Sequence, residues 1–262
     1  MSGEGVRSDV VRRSESITRV RVVDPVDGLE TFAAVDGTKH LKPDFEAACA
    51  VPGGEVLLLG SGSSPTRMRA SLVGPDGFRV ADLRPLYLAV AAAFGLRADQ
   101  LNLEGACLAG DRLRWFQRAN LAAGAATASA DIEVSALLAA IRGEITPDKI
   151  NIDGVRRYDL GVAHGVALAV TDAVSLTDGR ILVSAAAEDT PNAVDDGPVV
   201  ASGLVLLGVD GEPQFFAEIP GAEKVEGLAV REMTTDGVRL LAVVDADDHE
   251  TPSRRLTLHL HW

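Results

Sequence analysis

Aromatic residues are scarce in this chain. Phe, Tyr and Trp make up 4% of its 262 residues, so little is available for stacking nucleic-acid bases. A basic excess is also missing: 25 Lys and Arg face 38 Asp and Glu, for a formal charge of −13. That balance argues against nucleic acid and anionic membrane as partners, because both require a positive face. It suits solubility or the capture of a cation. No run approaches the roughly 18 apolar residues that span a bilayer. Arg12-Arg13 is followed by Ser14-Glu15-Ser16 and then by a stretch alternating with Arg, so no secretory or twin-arginine leader is expected and the chain is expected in the cytoplasm.

Catalytic signatures are thin as well. The five histidines, His40, His164, His249, His259 and His261, form no HExxH and no cluster with cysteine, which disfavours zinc. There is no GxSxG elbow, no P-loop and no GxGxxG opening a helix; Gly60-Ser61-Gly62-Ser63 reads as a turn. Cys49 and Cys107 are the only cysteines, each three residues after a glutamate. The corresponding slots elsewhere hold Ser175 and Ala229, so the position asks for small volume rather than sulfur chemistry.

What the chain does have is repetition. An acidic residue, a small residue, a short apolar strand, a Gly turn and a second apolar strand recur from Glu46, Glu104, Asp172 and Glu226. The spacings are 58 residues (46 to 104), 68 (104 to 172) and 54 (172 to 226). Each interval supplies about four strands: 45–51, 55–60, 67–73 and 78–83 in the first, and 170–176, 180–186, 199–209 and 213–219 in the third. Pro-Gly-Gly, Gly-Asp and two Asp-Gly pairs occupy the first hairpins, as antiparallel neighbours require. Tandem four-stranded antiparallel units are blades of a β-propeller. Connections of two to four residues are too short for the parallel crossovers of an α/β sheet.

The expected fold is therefore all-β: a small propeller of four blades, or five if Leu29–Val35 begins another. Two short peripheral helices, Pro85–Phe94 and Ser135–Arg142, should decorate matching places in the first two blades. The last copy has room for three strands, so Ile17–Val23 is expected to supply a fourth and close the ring. Residues 1–14 are expected to be a disordered tail before a single domain over 15–262.

If the first strand of each blade lines the axis, Glu46, Glu104, Asp172 and Glu226 converge. Two unit charges about 6 Å apart at an effective dielectric near 20 repel by roughly 3 kcal/mol, so the ring needs compensation. A bound cation, proton uptake or arginine partners would each supply it. Alternatively each acid is a latch on backbone N–H groups of the next blade. The loops after the second strands add acids at the same end: Glu188 and Asp189, then Asp245 and Asp247, an oxygen-rich set suited to calcium or another divalent cation. Arg118, with Gln117 and Asn120, is the non-acidic polar cluster there. It could steady a substrate phosphate or carboxylate, or neutralise its neighbours.

The strings Leu101–Ala106, Trp115–Asn120, Ala185–Pro191 and Val244–Asp248 resemble an uncharacterised bacterial propeller family, a domain of unknown function, over most of the chain from about Lys42. More distantly, the Glu-Gly openings at 104 and 226 are similar to phytase-like esterase and gluconolactonase-type propellers. In those families carboxylates at the top of the channel hold a divalent metal, so the resemblance implies Glu46, Glu104, Asp172 and Glu226 as ligands. Here Glu46 is followed by Ala, and Asp172 replaces Glu. Two functions follow as expectations. One is a divalent-metal-dependent hydrolase of a lactone, ester or phosphoester, with Glu104, Glu226 and Arg118 as catalytic candidates. The other is a non-enzymatic propeller that binds a small ligand or protein partner, its acids serving as latches.

Overall fold

The computed structural model describes residues 6–9, 20–33, 35–120, 124–189, 197–245 and 252–262. The four repeats fold into four antiparallel sheets, and each sheet is one blade of a ring. The first strand of the chain, β1 (Val6–Asp9), belongs to the last blade. Blade one runs from the inner strand outward as β2 (Phe45–Ala50), β3 (Val56–Gly60), β4 (Arg69–Gly74) and β5 (Gly77–Asp82). Blade two is β6 (Leu103–Ala109), β7 (Arg112–Gln117), β8 (Ala128–Glu133) and β9 (Ile152–Arg157). Blade three begins with a short β10 (Val162–Ala163) paired to the start of β11 (Val166–Ser175), followed by β12 (Ile181–Glu188), β13 (Val199–Leu207) and β14 (Pro213–Glu218). Blade four is β15 (Val225–Thr234), β16 (Gly237–Val244), β17 (Arg254–His261) and, on its outer edge, β1.

The count is four. Leu29 makes only an isolated bridge to Val26, so no fifth blade starts there. Ring closure by an N-terminal strand occurs, but with other residues than expected. Val6–Asp9 pairs antiparallel with Thr257–Leu260, inside the stretch anticipated as a disordered tail. Of the anticipated closing strand Ile17–Val23, residues 17–19 lie outside the described residues and 20–23 form no strand. The alternation with Arg at 17–23 has strand periodicity that its described part, 20–23, does not follow. What β17 needs on its outer edge is backbone pairing, and four residues suffice.

Packing between blades is mainly aliphatic, in keeping with the low aromatic content. Leu57, Leu59 and Leu72 of blade one meet Leu103, Leu113 and Ile132 of blade two. Phe116 of blade two packs with Val170, Val183 and Val205 of blade three. Leu182, Leu204 and Leu206 of blade three meet Leu240 and Leu258 of blade four. Each fully buried Leu or Val contributes about 1.5–3 kcal/mol. Between blades four and one no comparable cluster occurs among the described residues, and β15 and β2 are the least engaged pair of neighbouring inner strands.

The helices reinforce the opposite side of the ring. α1 (Arg84–Phe94) follows the fourth strand of blade one, whereas α2 (Val134–Arg142) follows the third strand of blade two, so they do not occupy matching places. Their packing is crossed: α1 rests against β9 of blade two, and α2 against β4 and β5 of blade one. Polar contacts tie the clasp, with Arg142 on Glu55 at 2.6 Å and Arg157 donating to the Phe94 carbonyl at 2.9 Å. Tyr87 anchors α1 from inside: its ring lies edge-on to Trp115 at 4.8 Å and its hydroxyl donates to the Gly60 carbonyl at 2.8 Å. No helix among the described residues is long and apolar enough to cross a membrane.

Candidate functional site

Four inner strands that converge on one axis leave room for small residues only, hence Ala47, Gly105, Ala173 and Gly227 beside the acids. Each inner strand carries a β-bulge at this point. In blades one and four the residue without a partner is the acid itself, Glu46 or Glu226. In blade two Glu104 and Gly105 together oppose one residue of β7. In blade three the unpaired residue is Thr171, and Asp172 pairs with Ser184. Asp172 thus stands one position further along than the other three acids, so the repeat is not strict in this blade. A bulge re-aims side chains that regular pleating would alternate, and here it turns the acids toward the axis. Gly105 is required: its φ is +72°, and a Cβ there would lie 2.9 Å from the Asp172 backbone.

All four anticipated acids influence one another electrostatically: Glu46 with Glu104, and Asp172 with both Glu104 and Glu226. Each is compensated by protein groups. Glu104 accepts from Asn102 Nδ2 at 2.9 Å and from Arg118 at 3.0 Å. Arg118 also meets Glu188 at 2.6 Å, Lys224 bridges Glu188 at 3.3 Å, and the same ammonium meets Glu226 at 3.1 Å. Glu188, at the end of β12, therefore shares the face of the ring acids. Asp172 Oδ2 accepts the Leu228 N–H at 2.6 Å, a true latch from blade three to blade four. Glu46 hydrogen-bonds Asp44, whose other partners are Lys42 at 2.8 Å and Arg67 at 2.6 Å.

Proton uptake accompanies this pairing. Burial, then Asp44 and Glu104, push Glu46 up to about 8. Burial lifts Glu104 to about 7, with Arg118 opposing and Glu226 adding. Burial likewise lifts Asp172 to about 7, against the N–H groups of Ala173 and Leu228 and with the repulsion of Glu226 and Glu104. Asp44 moves the opposite way: burial would raise it, but Lys42 and Arg67 hold it below the usual carboxylate range. Cys49 and Cys107 are free thiols raised to about 12, first by burial, and so behave as small apolar groups.

Glu46, Asp172 and Glu226 also face a slot of about 330 Å³ between blades four and one. Its walls are Phe45, Ala48 and Leu58 on one side and Ala229, Leu241 and Val243 on the other. This is the side where the apolar inter-blade cluster is missing. Asp172 lies at the inner end, 5% exposed, and its Oδ1 has no hydrogen-bond partner.

The donor set among the described residues does not fit a divalent metal. Among the described residues no three His, Cys, Asp or Glu side chains form a group that could hold an ion. Arg118 and Lys224 stand where a cation would, and Asp172 is turned to a backbone N–H. Of the loop acids, Asp189 and Asp245 are exposed, while Asp247 lies outside the described residues. Reading the repeat alone misses Asp44 and Lys224. The available signal was spacing: Asp44, Asn102 and Lys224 each stand two residues before a ring glutamate, just ahead of the inner strand that carries it.

Residues 38–249 match the model of DUF6910, a family of unknown function. The sequence matches no curated protein. Among solved structures, a luciferin-regenerating enzyme aligns over 82% of this chain and 60% of its own, at 12% identity and a TM-score of 0.39. The chain thus spans less than two thirds of that structure.

Proposed function

The chain belongs to the DUF6910 family, and we propose that this four-bladed propeller binds a small organic molecule in the slot between its last and first blades. The observation that carries the reading is the contrast between seams. Three are filled by buried aliphatic side chains, whereas the fourth holds an apolar-walled cavity ending on carboxyl groups. Apolar walls with a few convergent polar groups of shifted protonation are the ordinary makings of a ligand site. A screen of small molecules by thermal shift tests it. Compounds that stabilise the wild-type protein should lose that effect in Ala229→Trp, which fills the slot from an exposed position. Stabilisation that persists in Ala229→Trp overturns the proposal.

A hydrolytic reading is favoured by one observation. Glu46 and Asp172 face the same cavity with protonation equilibria moved toward neutrality, so one can give and the other take a proton during ester or lactone cleavage. The three catalytic candidates all lie in the charge network: Glu104 and Arg118 are occupied with each other, Arg118 also holds Glu188, and Glu226 is paired with Lys224. Turnover of aryl esters and lactones that survives EDTA and is lost in Glu46→Gln supports catalysis. Turnover that vanishes with EDTA points instead to a resident divalent metal, and none at all leaves the binding role.

A further inference from the structure

The slot is asymmetric in charge. Among the described residues that line it are three acids, Glu46, Asp172 and Glu226, and nine apolar residues, with no Lys, Arg, His or hydroxyl. Among the described residues the cations of the neighbourhood stay out of the lining: Arg118 pairs with Glu104 and Glu188, Lys42 and Arg67 pair with Asp44, and Lys224 meets the slot through Glu226 while also pairing with Glu188. Asp172 Oδ1, buried and without a donor, marks where positive charge is wanted.

We propose that the slot selects an organic cation, a small ammonium compound carrying an alkyl or aryl body, an assignment that rests on the slot being a ligand site. The ammonium group would sit at the inner end against Asp172 and Glu226. Its apolar body would lie between Leu58 and Ala48 on one wall and Leu241 and Val243 on the other. Phe45, also in the lining, is the aromatic residue among the described walls that a cation could meet. A bare divalent ion is a poorer occupant, because the aliphatic walls cannot replace its hydration shell and, among the described residues, no three His, Cys, Asp or Glu side chains group to hold an ion. An anion would meet only carboxyl groups.

Protonation supports the same direction. The groups facing Glu46 are Asp44, Glu104 and Lys42. Those facing Asp172 are the Ala173 and Leu228 N–H groups, Glu226 and Glu104, with the Cys49 and Cys107 thiols nearby. Acids dominate in both environments, so near neutral pH the slot holds protons that an entering cation displaces.

Isothermal titration of the full-length protein with benzyltrimethylammonium, benzylammonium, benzyl alcohol, benzoate and calcium chloride tests the assignment. The two ammonium probes should bind at least tenfold more tightly than benzyl alcohol, and benzoate most weakly. Because benzyltrimethylammonium does not titrate, its affinity should rise at least fivefold from pH 6 to pH 8.5. Glu46→Gln, at a half-buried position, should flatten that rise. Benzyl alcohol or benzoate binding as well as the cations, with loss in Ala229→Trp, overturns the cation assignment and keeps the slot. Calcium alone giving the stronger isotherm overturns it in favour of a metal site. No binding by any probe overturns both readings.

Discussion

Asp172 carries the most constraint for its size. It bridges blades three and four through the Leu228 N–H, and its second oxygen meets no donor. Asp172→Ala leaves that amide unpaired, so we expect a loss of about 1–3 kcal/mol, read as a lower urea midpoint at unchanged slope. Arg118 is the second such residue, clamped between Glu104 and Glu188 at 3.0 and 2.6 Å. Arg118→Met strands two buried carboxylates, and a loss of about 3–5 kcal/mol is expected in the same assay. pH acts with a definite sign. Glu46, Glu104 and Asp172 have folded-state values of about 8, 7 and 7, above those of the unfolded chain. The unfolded state therefore ionises first, and the contribution of these groups is complete below about pH 4 and is lost as pH rises through 7 to 8. The melting temperature should climb between pH 8 and pH 5, and Glu46→Gln should reduce the slope. A profile that falls over this range contradicts the account.

The repeat made the inner strands and their hairpins visible in the sequence, because apolar runs bounded by Asp-Gly and Gly-Gly turns have few other solutions. The bulges were not visible. They depend on where the small residues let neighbouring strands approach, and in blade three they shift Asp172 by one position relative to Glu46. Gly105 records that approach: Gly105→Ala meets a left-handed backbone, about 1–2 kcal/mol by itself, together with the Asp172 main chain. A lowered melting temperature with the fold retained is the expected result. The closing strand was misplaced for a related reason. Val6–Asp9 is too short to show periodicity, whereas the alternation at 17–23 shows it although its described part, 20–23, forms no strand. Deleting residues 1–9 should leave β17 an open edge, seen as faster amide exchange across Leu256–Leu260 while Leu57 and Leu59 keep their protection.

For the molecule as a whole, the ring of acids was legible as a set of residues, but its chemistry was not. Repulsion among four carboxylates required compensation, and the sequence left three sources open. The structure supplies two of them, cationic side chains and proton uptake, and adds backbone N–H to Asp172. The slot had no signature at all. It arises from an absence: blade one is clasped to blade two by crossed helices, while its other face meets blade four without an aliphatic cluster among the described residues. The central claim is that this seam is open by design to a ligand. Diffraction from crystals soaked with pools of small fragments tests it most directly. The account predicts fragment density between β2 and β15, in contact with Glu46 or Asp172. Fragments bound only elsewhere, with Leu58, Ala229 and Leu241 closed on one another, would contradict it.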